Sequence, residues 1–249
     1  MAEHLALVLK SVRFQDPSKI VTFFSRTEGL KTGFARGATS RDNRFGASLE
    51  PLTLCHITGR HQGVGSLYRI HHSSIVDPFR SIHGDFNLLV WSGLIVRFLL
   101  GFLPPDHPEP DLFSVAVSSL SALNQANTLP DLVWTRFAID SLALLGYRIS
   151  LTDCARCGRP VHGERVGYRS VDGTIVCMRC FGREPASEWI MTSGDILDRL
   201  CNLGDTEKVV SVPDIGLKTR DFLDAVIEEH LPRWIPIREL AFLKRPDEG

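Results

Sequence analysis

The sequence lacks the short motifs that identify several large enzyme classes. It has no glycine-rich phosphate loop, no dinucleotide-binding glycine fingerprint, no G-x-S-x-G turn and no H-E-x-x-H motif. Internal repeats and low-complexity tracts are also absent. These absences argue against the corresponding enzymes and against solenoid architectures, and no catalytic residue is assigned.

No hydrophobic run is suited to a membrane span. The most apolar stretch, residues 86–102, contains Asn87 and Arg97 and is followed by Pro104 and Pro105. A bilayer helix needs about 20 predominantly apolar residues, so a buried core helix and no membrane contact are expected here. Six cysteines with paired spacing and no signal peptide predict a reducing, cytoplasmic environment.

The net charge is only −1, but basic and acidic residues are unevenly distributed along the chain. Residues 1–80 hold eleven lysines and arginines against six acidic residues, whereas residues 81–249 hold seventeen against twenty-three. A basic N-terminal part is suited to a polyanion such as nucleic acid, although ordinary solvated surfaces reach this imbalance too.

Four cysteines have the spacing of a metal site. Cys154 and Cys157 form one C-x2-C pair, and Cys177 and Cys180 form another, with nineteen residues between the pairs. Each pair supplies two thiolates to one side of a tetrahedral site, which predicts a structural zinc ion. Four thiolates leave no open coordination position, so the metal stabilises the fold and does no chemistry. Two disulfides and an iron–sulfur or redox site are the alternatives.

The chain changes from strand to helix patterning near residue 79. Short β-branched and aromatic segments separated by turns predict a small barrel or sandwich in residues 1–79. Beyond residue 79, apolar faces predict helices, and the third of these begins near a proline and stops at a glycine. The helices are expected at about residues 85–102, 111–127, 130–145, 193–203 and 218–231. The fold class is therefore α+β, with residues 80–150 and 184–249 forming a helical domain. The four-cysteine zinc module, residues 151–183, is inserted into it.

A basic segment follows the second predicted hairpin. Lys31, Arg36, Arg41 and Arg44 lie within fourteen residues among glycine, alanine and serine. Small residues let the backbone approach a phosphate, and arginine binds it bidentately. Phe34 and Phe45 flank these cations. They suit either base stacking or the core, and the residue types do not choose between the two.

Several segments, in order, resemble the bacterial recombination mediator family RecO. Residues 20–29 (IVTFFSRTEG) resemble that family's first hairpin, and residues 35–38 (ARGA) resemble the segment that follows. The same holds for RFG at 44–46 with LEPL at 49–52, and for LLGY at 144–147 with CARCG at 154–158. Near the C-terminus, Ile237-Arg238 and Phe242-Leu243 also resemble the family's sequence, although Glu239 stands where the family usually has serine.

This resemblance implies an N-terminal OB-fold, a helical domain with a zinc-binding insertion, and a non-enzymatic role at the nucleoid. RecO proteins bind single- and double-stranded DNA, anneal complementary strands and work with RecR in the RecF pathway. They help RecA load onto DNA coated with single-stranded-DNA-binding protein, whose acidic C-terminal tail some of them recognise. The matching motifs place DNA binding on Arg36 and Arg44, with Lys31 and Arg41 nearby.

Two other functions stay open at this stage. One is a protein–protein adaptor that uses the cysteine module and the helices without DNA. The other is a metal-dependent nuclease or deaminase, for which a second metal site would have to come from the histidines and aspartates of residues 71–85. Adjacent histidines on a strand point to opposite faces, which disfavours that site.

Overall fold

The computed structural model describes residues 2–61, 67–126, 129–147, 152–169, 172–182, 189–194, 196, 213–231 and 234. The chain divides into two compact units, Met1–Pro130 and Asp131–Gly249. The three-part domain division expected from the sequence stays a prediction.

Five strands of the first unit form a closed barrel. They are β1 (Ala2–Arg13), β2 (Lys19–Ser25), β3 (Gly29–Ala35), β4 (Leu54–His61) and β5 (Tyr68–Asp77). Their order around the barrel is β1-β2-β3-β5-β4, with β4 pairing back onto β1. All pairs are antiparallel except β3 with β5. This five-stranded closure is that of an OB-like barrel and confirms the predicted fold of the N-terminal part.

Alternation along the strands fills the barrel interior. In β2, Val21 and Phe23 are fully buried, whereas Ile20 before them and Thr22 between them are only half-buried. The segment between β3 and β4 also contributes to this core. Phe45, only 3% exposed, packs there together with Ala38 and Leu49. Burial of a phenylalanine side chain contributes about 2–3 kcal/mol, so Phe45 is a core residue and not a surface for stacking bases.

Three helices complete the first unit: α1 (Arg80–Gly84), α2 (Phe86–Phe102) and α3 (Pro110–Leu123). Asp85 caps α2 by accepting hydrogen bonds from the backbone N–H groups of Asn87 and Leu88, at 2.8 and 3.2 Å. The ring of Phe113 in α3 meets Phe24 of β2 edge to face at 5.4 Å, which joins the helices to the outside of the barrel. No helix in the described part of the chain is long and apolar enough to cross a membrane.

The second unit combines helices with a small sheet. Helix α4 (Pro130–Leu144) begins at the boundary between the units and is followed by Gly146 at φ +88°, the predicted stop. Strands β6 (Arg165–Arg169), β7 (Thr174–Cys177) and β8 (Ile190–Ser193) form an antiparallel sheet in the order β7-β6-β8, with the short helix α5 (Met178–Phe181) after β7. Helix α6 (Pro213–His230) starts five residues before its predicted position. Most of the helix predicted over residues 193–203 lies outside the described residues.

Candidate metal centre and nucleic-acid interface

The four predicted cysteine ligands converge in the second unit. The Sγ atoms of Cys154, Cys157, Cys177 and Cys180 all lie within 4.8 Å of one another. Cys154 and Cys157 occupy a turn closed by a backbone hydrogen bond from Gly158 N–H to the carbonyl of Cys154, at 2.8 Å. The other two stand at the end of β7 and in α5. Sequence spacing alone identified this set.

The donor set fits a tetrahedral thiolate-bound ion. Sulfur ligands about 2.3 Å from a zinc ion lie about 3.8 Å apart, and the Sγ atoms of Cys157 and Cys177 are separated by 3.9 Å. That distance is well beyond the roughly 2.05 Å of a disulfide, and all four cysteines are free. Within the described residues this is the one group of three or more histidine, cysteine or acidic side chains arranged to hold a metal.

The pKa values of the clustered thiols are shifted by their surroundings and by one another. Burial raises the pKa of Cys154, but backbone N–H groups of Cys177, Cys157 and Arg156 lower it overall to about 6. Hydrogen bonds with Cys157 and Cys177 raise the pKa of Cys180 to about 12. Burial raises the pKa of Cys177, but hydrogen bonds from the backbone N–H of Cys180 and from neighbouring thiols outweigh burial and lower it overall. Deprotonation is therefore favoured at Cys154 and Cys177 and opposed at Cys180. A bound divalent cation removes the repulsion between neighbouring thiolates and keeps coordinating thiols deprotonated.

Three of the four predicted DNA-binding residues lie on one exposed segment, residues 36–46, here called the arginine loop. Arg36, Arg41 and Arg44 are all solvent-exposed. The loop follows β3 directly and turns at Gly37, which has φ +80° and therefore favours glycine. Thr39 ties the loop to the β1–β2 turn, because its hydroxyl donates to the carboxylate of Asp16 at 3.2 Å.

The arginines of this loop carry no acidic partners among the described residues. The guanidinium of Arg44 lies 5.0 Å from the centre of the Phe45 ring. Since Phe45 is part of the core, this contact holds Arg44 against the barrel while its exposed N–H groups face solvent. Three exposed arginines against one exposed carboxylate, Asp42, leave the loop with a net positive charge suited to a phosphate backbone.

Lys31 occupies a different environment from the arginines. Its side chain is 11% exposed, and its ammonium lies 3.3 Å from a carboxylate oxygen of Glu28 and 2.8 Å from one of Asp106. Burial lowers the pKa of Lys31, but hydrogen bonds to Asp106 and Glu28 outweigh burial and raise it overall. Residue 31 is near the start of β3 and Arg36 just follows its end, about 16 Å away at the usual rise of a strand. Lys31 therefore links the β2–β3 turn to the segment after α2.

Sequence reasoning did not single out Arg60 and Arg69. These residues are nine positions apart in the sequence and become direct neighbours only through the β4–β5 register. Alternation of residues on both sides of the hairpin turn indicates two strands. It does not determine the register of the two strands, which decides the residues that face each other.

Comparison with known proteins gives one consistent assignment. Residues 1–79 match the family profile described as Recombination protein O N terminal, and residues 83–239 match Recombination protein O C terminal. Among curated proteins, the DNA repair protein RecO of Geobacter metallireducens is 32% identical over 241 residues, covering 96% of both chains. The proteins of the same name from Geobacter sulfurreducens and Myxococcus xanthus are 30% and 29% identical. The aligned region covers 96% of both chains for the Geobacter sulfurreducens protein. For the Myxococcus xanthus protein it covers 92% of this chain and 91% of the relative.

These matches span the barrel, the helices and the cysteine cluster, in the order in which the sequence resemblance placed them. The similarity therefore extends over nearly the whole chain and is not confined to one motif. The chain belongs to the RecO family of DNA repair and recombination proteins.

Proposed function

We propose that this protein is a non-enzymatic recombination mediator that binds DNA through the arginine loop. The observation that carries the proposal is that Arg36, Arg41 and Arg44 are exposed together on a barrel loop without acidic partners among the described residues. Such cations gain most from a polyanion, because binding releases the counterions condensed on the phosphates. Contacts to phosphate carry no sequence information, so binding is expected without sequence preference.

Both single- and double-stranded DNA fit this surface, and strand annealing follows from it. A cationic loop that neutralises phosphates lowers the repulsion between two complementary strands, while the base edges stay free to pair. Like other members of the family, the protein is expected to act with RecR at the nucleoid. It then helps RecA load onto DNA coated with single-stranded-DNA-binding protein, whose acidic tail is a further expected ligand.

The four cysteines are proposed to hold a structural zinc ion. Sulfur donors at tetrahedral spacing favour zinc over calcium, magnesium and other oxygen-binding ions. The ion supplies no chemistry when all four ligands are protein thiolates. Its contribution is to the folding of the strands and turns around Cys154 and Cys177.

The proposal is tested by strand annealing on complementary oligonucleotides coated with single-stranded-DNA-binding protein, with and without RecR. A mediator is expected to accelerate annealing of the coated strands and to leave their length unchanged. A protein–protein adaptor would give no mobility shift of labelled DNA even at low salt. A nuclease would shorten the strands in the presence of Mg²⁺ or Mn²⁺. Either of these two results contradicts the proposal.

A matched pair of variants locates the contact surface. Arg36→Gln and Lys31→Gln remove the same charge from the same barrel. We expect Arg36→Gln to weaken binding about tenfold or more, since a charge-assisted hydrogen bond contributes about 1.5–3 kcal/mol. It should also flatten the plot of log affinity against log salt by about 0.7 on single strands. Its thermal midpoint should stay unchanged, because the side chain is exposed.

Lys31→Gln should give the opposite result. It removes the cation between two carboxylates and is expected to destabilise the protein by roughly 1 kcal/mol, the upper range for a solvent-screened pair. The slope of its salt dependence should match wild type. If Lys31→Gln flattens that slope and Arg36→Gln does not, the DNA surface lies at the other end of the barrel. Anisotropy titrations over a salt series, paired with thermal melts, provide both measurements.

A further inference from the structure

The cysteine cluster has a buried side and an exposed side. Cys154 and Cys177 are 1% and 0% exposed, whereas Cys180 is half-buried and Cys157 is exposed. All four Sγ atoms nonetheless lie within 4.8 Å of one another. A solute in the surrounding water can therefore approach the cluster from the side of Cys157 and Cys180, while the other two ligands are shielded from it.

Backbone hydrogen bonds hold the buried side of the cluster together. The N–H of Cys177 donates to the Sγ atom of Cys154 at 3.4 Å. The N–H of Ala155 donates to the carbonyl of Ile175 at 2.8 Å, which joins the first cysteine turn to β7. Neither bond involves the exposed pair of cysteines. Two of the four ligands are therefore kept close to each other independently of that pair, which favours rebinding of the ion once the pair is restored.

Positive charge lies beside the exposed side of the cluster. The guanidinium of Arg156, the residue before Cys157, donates to the carbonyl of Cys180 at 3.1 Å. Arg179, the residue before Cys180, is exposed and forms no ion pair with a residue in the part of the chain that the structure describes. Partly exposed cysteines in electropositive surroundings are the ones that react with oxidants.

We infer that Cys157 and Cys180 form a reversible oxidation site, and that a disulfide between them releases the zinc ion. Cys157 meets the oxidant first because it is the exposed ligand, and Cys180 is the most accessible of the three thiols beside it. Their Sγ atoms are at most 4.8 Å apart, so they need to approach by at most about 3 Å to reach the length of an S–S bond. This inference rests on the proposed zinc site and is independent of the proposed DNA binding.

The chemistry balances with hydrogen peroxide as the oxidant. The Cys157 thiolate attacks one peroxide oxygen, the O–O bond breaks, and hydroxide leaves with the bonding electron pair, which gives a sulfenic acid. The Cys180 thiolate then attacks that sulfur, an S–S bond forms, and a second hydroxide leaves. Two protons from solvent convert both hydroxides to water. The two thiolates have lost two electrons to the peroxide, two of the four ligands are gone, and a dithiol reductant restores them by thiol–disulfide exchange.

The first test measures zinc and thiols together. Full-length, zinc-loaded protein is treated with a small molar excess of hydrogen peroxide, in a chromogenic chelator too weak to remove zinc from untreated protein. We expect zinc to be released as about two thiols are lost per ion, and peptide mapping after alkylation to find Cys157 joined to Cys180. Dithiothreitol with added zinc should restore the metal content and the free thiols. Zinc that stays bound, a disulfide that includes Cys154 or Cys177, or a loss that reductant does not reverse overturns the inference.

The second test uses variants that keep the metal. Cys157→His supplies a zinc-binding nitrogen in place of the exposed thiol, so it should hold zinc and release it far more slowly in peroxide. Arg156→Gln keeps a donor for the carbonyl of Cys180 but removes the cation that stabilises the departing hydroxide. It should slow release several-fold without changing the initial zinc content. Arg136→Gln removes the same charge from α4 and should behave like wild type. If Cys157→His holds no zinc, Arg156→Gln still decides, because release at the wild-type rate contradicts the inference.

The outcomes separate the oxidation site from the zinc site on which it rests. Protein that contains no zinc when purified without oxygen contradicts the zinc site and the inference with it. Zinc that is present but retained in peroxide leaves the structural zinc site standing and overturns only the oxidation site. Cys201→Ala removes the one cysteine outside the described residues and should release zinc like wild type. If that variant resists peroxide, Cys201 and not Cys180 is the partner of Cys157, and the inference is wrong.

Discussion

Replacing Cys177 by serine is expected to remove the metal and unfold the structure around it. Cys177 is fully buried, and it ends β7, the strand that pairs with β6 in the three-stranded sheet. Serine is a much poorer zinc ligand than thiolate. Because metal-binding free energy in such modules, about 10–16 kcal/mol in small zinc-binding peptides, is also folding free energy, its loss is comparable to the whole stability of a domain, about 5–15 kcal/mol.

Two measurements on the full-length variant check this expectation. Elemental analysis should fall from one zinc per wild-type chain to none, and calorimetry should show that the transition of the second unit is lost or moved far down in temperature. Treatment of the wild type with a strong chelator should reproduce both changes, and added zinc should reverse them.

Cys55→Ala is the matched control. Cys55 is also fully buried and free, but it belongs to the barrel core and is not one of the four clustered cysteines. Its substitution leaves a small cavity and should cost roughly 1–2 kcal/mol, with the zinc content unchanged. Metal-free wild type that melts at the same temperature as the metal-loaded protein would contradict a structural role for the ion.

The sequence predicted best those features that depend on neighbouring residues. The two C-x2-C pairs needed only local spacing, and the structure brings all four sulfur atoms together. The first hairpin was readable because β-branched and aromatic residues flank a glycine that turns at φ +75° in β3. Such signals act within a few residues and need no tertiary information.

Features that depend on tertiary packing or strand register could not be predicted from the sequence. Lys31 and Arg36 are close in sequence, but they lie near opposite ends of β3. Of these two side chains, only Lys31 forms ion pairs within the part of the chain that the structure describes. The sequence is compatible with either an exposed or a buried Phe45 side chain. Its burial depends on how the segment before β4 packs against the barrel core. Strands β6, β7 and β8 were not anticipated because each has only four or five residues, too few for periodicity to appear. The pairing of Arg60 with Arg69 is likewise set by register.

Reversing the charge of the arginine loop is expected to have the largest effect on function. In the triple variant, Arg36→Glu, Arg41→Glu and Arg44→Glu remove three phosphate contacts and replace them with repulsion. If each lost charge-assisted contact costs about 1.5 kcal/mol, affinity for single-stranded DNA falls at least about a thousandfold, and annealing is lost with it. All three side chains are exposed, so the thermal midpoint should move by only a few degrees.

A second triple variant separates a local surface from the overall charge. Arg80→Glu, Arg136→Glu and Arg165→Glu change the net charge by the same amount at exposed positions outside the barrel strands and the loop. Overall charge affects mainly the association rate and its salt dependence. This control should therefore bind somewhat more slowly but retain most of its affinity. If both variants lose binding equally, the basic character of the whole chain and not the loop holds DNA. If only the loop variant fails, the phosphate contacts lie where Arg36, Arg41 and Arg44 are exposed.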